Sequence, residues 1–307
     1  MTRPLLRPTW LIGAALGVFA DRLLGEPPTP VHPLVHFGNT MNRLEKAFYR
    51  DDRGRGAVHA VLGTTVGFIA GLLVRSTTMA TYLAVGGRAL HEAATTVGDS
   101  LVKGDLNEAR RALPSLVGRD PSDLDAPEIA RATVESVAEN TVDSVVAPLL
   151  WAAFCGPAGA LGYRAVNTMD AMVGHHSPRY ENYGWASARL DDVANWIPAR
   201  CTAALVALVR PRATADVIRG VRTQAPLHPS PNSGVGEVAF AVALGLRLGG
   251  RNTYGARVEE RPPLGYGRPA NGDDIEDAVR LSRDVSTTLA ALLLVVGVMT
   301  WMVQRWQ

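Results

Sequence analysis

Two cysteines in 307 residues, Cys155 and Cys201, leave no disulfide framework and no cysteine-based zinc spacing. Both lie in apolar stretches, where a free thiol serves as a small hydrophobe in helix packing. A dominant charge is also missing. Lysine and arginine number 31 against 29 acids, a formal net charge of +2, which gives no electrostatic case for nucleic acid as a partner. The common nucleotide and hydrolase signatures are absent as well. There is no G-x-x-x-x-G-K-[ST], no G-x-G-x-x-G and no G-x-S-x-G. No strand–helix alternation is visible, which argues against a doubly wound α/β fold.

Long uncharged runs are what the chain does have. Residues 285–303 carry no charge for nineteen positions, enough to span a hydrocarbon core. The runs at 58–74, interrupted only by His59, at 144–163, and at 193–209, with Arg200 inside, are comparable. A shorter run at 9–20 is closed by Asp21 and Arg22. Mean hydropathy is +0.05, and the concentration of apolar residues matters more than that mean. These runs predict an all-α, polytopic integral membrane protein with about four or five membrane segments. The expected setting is the cell membrane, crossed several times and in contact with the lipid bilayer. D-R-L-L-G-E-P at 21–27 is not a small-residue cleavage site, so the first segment is expected to be retained. The chain reads as one domain with a soluble helical insertion at about 76–139. Asp123 or Asp125 suits the N-cap of a helix there, with Pro127 in its first turn. Residues 210–284 read as a long loop region, irregular at 249–272, where Gly, Pro and Arg are dense.

The stretch E-S-V-A-E-N-T-V-D at 135–143 spaces Glu135, Glu139 and Asp143 by four residues. On a helix this puts three carboxylates on one face. Stacked acids repel one another and are tolerated where a cation sits between them. At a membrane edge they are costly and tend to be functional; the ordinary alternative is a solvated helix face. Glu139 and Asp143 are the candidate metal ligands of this stripe. The tetrapeptide at Asn140 to Asp143 nearly recurs at Asn167 to Asp170. The two copies bracket a run whose C-G-P-A-G at 155–159 suits a break. If that run folds into a hairpin, both copies return to one side and can face one site. If it crosses fully, they stand about 30 Å apart.

Asp191 and Asp192, with Arg189 before them and Asn195 after, lie where an apolar run begins. They suit metal or phosphate, or simply an acid near a helix N-terminus. The turn at 228–234, H-P-S-P-N-S-G, offers hydroxyls, an amide and exposed backbone N–H groups that can cradle phosphate. His228, Ser230, Asn232 and Ser233 are its candidates, with Glu237 following at the start of an apolar helix. His32 and His36 sit one helical turn apart, where metal pairing competes with a structural role; His175 and His176 are adjacent and point apart, so at most one acts and the other reading is a surface loop histidine. Taken together, the acids, amides and cations suit an enzyme that handles an anionic substrate with Mg²⁺. Composition and spacing do not choose among phosphotransfer, prenyl transfer and ligation.

Six motifs carry a resemblance. They are D-R-L-L-G-E-P at 21–27 followed by His32-Pro33, V-G-R-D at 117–120, the acid stretch at 135–143, Y-R-A-V-N-T-M-D-A-M-V-G at 163–174, G-W-A-S-A-R-L-D-D-V-A-N-W-I-P-A-R at 184–200, and H-P-S-P-N-S-G at 228–234. In this order, over nearly the whole chain, they resemble the CobD/CbiB family of cobalamin biosynthesis. The resemblance implies an integral-membrane adenosylcobinamide-phosphate synthase. Such an enzyme is a ligase that joins adenosylcobyric acid, a corrinoid, to (R)-1-amino-2-propanol or its O-phosphate through an amide bond. It implies ATP as a substrate, Mg²⁺ as a cofactor and contact with other cobalamin-biosynthesis enzymes. Under it, Glu135, Glu139, Asp143, Asp170 and Asp192 are the expected catalytic acids, and Glu139, Asp143 and Asp191 the expected metal ligands. Arg189, Asn140, Asn167, His228, Ser230, Asn232 and Ser233 are expected to bind substrate or phosphate. The competing expectations are a Mg²⁺-dependent membrane prenyltransferase-like enzyme and a corrinoid transporter or scaffold.

Overall fold

Proline and short polar side chains become helix starts in the computed structural model, which describes residues 7–118, 120–175, 177–254 and 257–306. Helix α1 (Pro8–Leu24) opens on a proline and ends at Gly25. Helix α2 (Pro33–Phe48) is capped by His32, whose Nδ1 accepts the Leu34 N–H at 3.2 Å. That spends His32 on a cap, and the His36 ring bonds the Pro30 carbonyl instead; both have structural work. Helices α3 (Arg53–Val74) and α4 (Thr77–Ala84) start at Asp52 and Ser76, whose side chains accept backbone N–H groups. Helices α5 (Gly87–Val102) and α6 (Leu106–Ala112) lead to α7 (Ala126–Thr141). Asp125 is its N-cap, and Asp125 and Glu128 form a reciprocal capping box.

A π-helical turn at Val142–Val146 joins α7 to α8 (Ala147–Met169), and a second such turn covers Asp170–Gly174. Helix α8 is broken at Gly156, with φ 64° and ψ −152°, a region open only to glycine. Pro157 follows and cannot donate to the preceding turn. After α9 (Trp185–Val209) come α10 (Thr214–Thr223) and α11 (Ser233–Leu244). Strands β1 (Leu246–Tyr254), β2 (Arg257–Leu264) and β3 (Arg268–Pro269) follow, then α12 (Gly272–Arg305). His176, and Arg119 of the V-G-R-D motif, lie outside the described residues.

The stretch expected to be irregular is thus a small sheet of order β2-β1-β3. Strands β1 and β2 are antiparallel, with a register shift between Leu248 and Gly250. Gly249 and Gly250 both have positive φ, so the glycines that suggested a loop build a bulge. Pro262 and Pro263 sit in β2, an edge strand, where a missing donor is tolerated. The expected loop at 210–284 likewise holds α10, α11 and the start of α12.

The described residues fall into two compact units. The first lies within Met1–Gly86, Asp143–Asn195 and Leu289–Gln307, the second within Gly87–Val142 and Trp196–Thr288. Small side chains fill the first: Ala14, Ala80, Ala84, Ala152 and Ala160 form a buried cluster. Gly63, Gly67 and Gly71 run down one face of α3 against the second arm of α8. A Cβ on Gly67 would come within 2.6 Å of the Leu161 oxygen, so the backbones approach as small-residue membrane interfaces do. The second unit is filled by larger residues, among them Phe240, Leu246, Leu264, Ile275 and Leu281.

Among the described residues, three helical stretches, Arg53–Val74, Ala126–Gly174 and Gly272–Arg305, are long and apolar enough to cross a membrane. Leu62, Phe68, Ile69 and Leu73 of α3, and Val295, Met299 and Trp301 of α12, are exposed. Such a band is unstable against water and suited to lipid. The protein is an all-α, membrane-type fold with one small sheet. Of the other runs read as segments, α1 is 17 residues long, and α9 carries Arg189, Asp191, Asp192 and Arg200 along its length.

Candidate functional site

In the first unit the break at Gly156 turns α8 back on itself. The Tyr163 hydroxyl donates to the Asp143 carbonyl at 3.1 Å and to Asn195 Oδ1 at 2.8 Å. Asn195 Nδ2 donates to Asp191 Oδ2 at 3.0 Å, and Asn167 Nδ2 to Asp191 Oδ1 at 3.3 Å. Each oxygen of Asp191 is therefore fixed by a side-chain amide. Arg164 extends the network, donating to Asn167 Oδ1 at 3.3 Å and Ser144 Oγ at 3.4 Å. Gly86 closes it from α4's end: its N–H donates to the Ser144 carbonyl, and its Cα faces Glu26 Oε1.

Asp143, Asn167 and Asp191, singled out in the sequence, meet here. Asp170 belongs to the same unit and packs against Gly174. Asp192 pairs with Arg189 at 3.5 Å. Burial pushes the Asp192 carboxyl above the usual carboxylate range, and Arg189 opposes that. Asn195, named in the sequence beside Asp191 and Asp192, is part of the network, and Glu26, Tyr163 and Arg164 complete it without having been expected as site residues. Tyr163 and Arg164 carried a signal nonetheless: they end a run of twenty uncharged residues, at a depth where polar groups are expensive.

Of the expected stripe, Glu135 and Glu139 lie on α7, and Asp143 lies in the π turn that begins at Val142. Asp143 falls in the first unit, and Glu135, Glu139 and Asn140 in the second. Asn140 donates to the Ser136 carbonyl and hydroxyl, a local helix bond.

In the second unit the two glutamates are anchored rather than solvated. Glu135, 4% exposed, accepts the Gly249 N–H at 2.9 Å and pairs with Arg131 at 3.1 Å. Glu139 accepts from the Ser233 hydroxyl at 3.0 Å. The turn before α11 is knitted by its own side chains. His228 Nδ1 accepts the Ser230 N–H, and Ser230 Oγ accepts the N–H groups of Asn232 and Ser233. Three of the backbone donors that a phosphate cradle would use are thus engaged within the turn. Arg200 donates to Asn232 Oδ1 at 3.0 Å. His228 Nε2 lies 3.5 Å from Glu237 Oε1, with Arg261 on the same carboxylate at 3.9 Å. Burial, and then the Arg261 charge, lower the His228 pKa, so the ring is neutral at physiological pH with its proton on Nε2.

Among the described residues no three His, Cys, Asp or Glu side chains gather as a metal-binding group. Mg²⁺ does not require one, because it keeps waters and substrate phosphates and takes one or two carboxylates from the protein. Asp143 and Asp191 suit that pattern as hard oxygen donors.

Helices long and apolar enough to cross a membrane, and a semi-buried acid–amide–guanidinium network drawn from α8 and α9, define a membrane-type protein with a polar site. The family described as "CobD/Cbib protein" matches residues 14–282. The chain is 45% identical over 300 residues to the cobalamin biosynthesis protein CobD of Mycobacterium tuberculosis, covering 92% of this chain and 96% of that one. It is 39% identical over 300 residues to the protein of that name from Halalkalibacterium halodurans, covering 90% and 93%. The corresponding figures for Rhodobacter capsulatus are 41% over 286 residues, 87% and 88%. No solved structure matches the chain. The chain belongs to the CobD/CbiB family of cobalamin-biosynthesis proteins.

Proposed function

We propose that the protein is an adenosylcobinamide-phosphate synthase resident in the cell membrane. It joins the free carboxylate of adenosylcobyric acid to the amine of (R)-1-amino-2-propanol or its O-phosphate, with ATP as the co-substrate. A carboxylate does not condense with an amine in water unaided. Its oxygen attacks the γ-phosphorus of ATP, and ADP leaves. The amine nitrogen then attacks the acyl carbon, and phosphate leaves with the former carboxylate oxygen. The ammonium must lose protons on the way.

Family membership and the amide-fixed carboxylate of Asp191 support this reading most directly. Asp191, held by Asn167 and Asn195, orients the amine and accepts its proton. Asp192, with its pKa raised by burial, is the second proton acceptor. Asp143 would hold Mg²⁺ together with substrate phosphate oxygens and waters, and the ion would neutralise phosphate charge. The turn at 228–233 enters as the support of Glu139 rather than as a backbone phosphate cradle.

The test is full-length protein in detergent given adenosylcobyric acid, aminopropanol or its phosphate, and Mg-ATP. An amide product that appears with stoichiometric ADP, and only when ATP is present, supports the ligase. Corrinoid that crosses proteoliposomes chemically unchanged, without product, sinks it in favour of transport. Membrane residence is tested by carbonate extraction, which should leave the protein in the pellet.

A further inference from the structure

Within the first unit, α2, α3, α4 and α8 line a cavity of about 320 Å³. Leu34, Phe37, Met41, Val66 and Leu161 give it an apolar wall, and Arg164 stands in that wall. A guanidinium carries five donors. Arg164 Nη1 donates to neutral oxygens, Ser144 Oγ at 3.4 Å and Asn167 Oδ1 at 3.3 Å, long for a charged donor. Its Nε is buried with no hydrogen-bond partner. The Glu26 and Asp143 carboxylates lie near enough to act on its charge, and Glu26 also has His32 at 3.8 Å. A semi-buried guanidinium with an idle Nε beside an apolar cavity can take a further anionic acceptor from a ligand that enters it.

We infer that this cavity receives the corrinoid's free propionate arm, with Arg164 holding the carboxylate and the apolar wall taking the methyl-bearing ring edge next to it. The inference rests on the ligase reading for the identity of the acid. The volume sits at the lower end of small-ligand sites, so it suits one arm and its flanking methyls and leaves the macrocycle outside. Arg164 also bonds Asn167, which holds Asp191. A carboxylate on Arg164 is therefore one side chain removed from the acid proposed to receive the amine.

The test compares cobyric acid with cobinamide, in which that carboxylate is already an amide. Binding to the full-length protein in detergent is read by equilibrium dialysis and corrin absorbance. Wild type should prefer cobyric acid by about tenfold or more, the scale of a charge-assisted pair. Arg164→Gln should erase the preference while changing cobinamide affinity little, and Arg164→Lys should keep part of it. Ala70→Phe, which fills the cavity from α3, should weaken both corrinoids. Melting temperatures establish that the variants are folded, and Arg164→Lys carries the test if Arg164→Gln is not. Equal affinity of wild type for the two corrinoids, or a preference that survives Arg164→Gln, overturns the assignment. A preference that behaves as described, in a protein that makes no amide from Mg-ATP and aminopropanol, would overturn the ligase reading and leave the carboxylate site standing.

Discussion

The Tyr163 hydroxyl reaches the Asp143 carbonyl at 3.1 Å although twenty residues of helical chain separate them. A straight α-helix would hold those positions about 30 Å apart. The break at Gly156 removes that distance, and Ser144 and Arg164 meet by the same fold-back. The 144–163 run is therefore a broken hairpin whose two ends share one polar site. Irregular backbone at membrane depth is tolerated where it is buried in protein, and here a Cβ on Gly156 would come within 2.6 Å of the Trp10 ring.

Gly156→Ala should therefore be among the most damaging single-methyl changes in the chain. It forces a non-glycine residue into a glycine-only conformation, at about 1–3 kcal/mol, and presses a methyl on Trp10. The expected outcome is a melting temperature in detergent several degrees lower, with product formation reduced in parallel because the Tyr163–Asp143 contact is lost. An unchanged melting curve would mean that the break is not held by Gly156.

Asp191→Asn should leave the fold intact and abolish most turnover. The substitution is nearly isosteric, but an amide nitrogen must now face Asn167 or Asn195, and the charge is gone. Loss of a positioned base costs about 10²-fold or more in rate. Asn195→Ala should fall between this variant and wild type, since it frees the carboxylate without removing it. Single-turnover rates compared with melting temperatures separate the two effects. Near-normal rates in Asp191→Asn would remove Asp191 from the chemistry.

The helix starts, the apolar runs and the break at 155–159 were legible because each is a local signal: a cap, an uncharged stretch, a Gly-Pro step. Asp143, Asn167 and Asp191 were legible as acids and amides at apolar edges. Tyr163 and Arg164 were harder, since the Tyr163 partners Asp143 and Asn195 and the Arg164 partner Ser144 lie twenty residues or more away. The π turn at Val142 was not legible, because an extra residue in a helical turn gives no warning in composition. The sheet was hidden because a bulged edge hairpin uses the same Gly and Pro as a loop.

His228 should make the second unit acid-sensitive. Burial and the nearby Arg261 lower its pKa in the folded protein, so the unfolded chain, with a histidine pKa near 6.5, binds the proton more readily. The neutral ring's contribution is complete above that value and is lost progressively as pH falls through it towards the lower folded pKa. Wild type should lose more melting temperature than His228→Gln between about pH 7.5 and pH 5.5, the interval that brackets the free imidazole value. Equal losses would show that His228 titrates as it does in the unfolded chain.

Glu135 and Glu139 sit one turn apart on α7, yet they should fail in different ways. Glu135 faces Arg131, whose side chain is only 12% exposed, and also accepts the Gly249 N–H. Glu135→Gln removes a counter-charge from that arginine, and removing one partner of a buried pair costs about 3 kcal/mol. Its main effect should be on stability, with turnover of the folded fraction less affected. Glu139 accepts one hydroxyl bond, from Ser233, which a glutamine oxygen can accept equally well. Glu139→Gln should therefore cost about 1 kcal/mol or less in stability. If Glu139 takes part in the chemistry, that variant loses turnover at nearly wild-type stability. Melting and turnover measured on both variants decide the matter. A Glu139→Gln protein that turns over normally would reduce this carboxylate to a tether for the Ser233 turn, and a Glu135→Gln protein that melts like wild type would show that Arg131 does not depend on it.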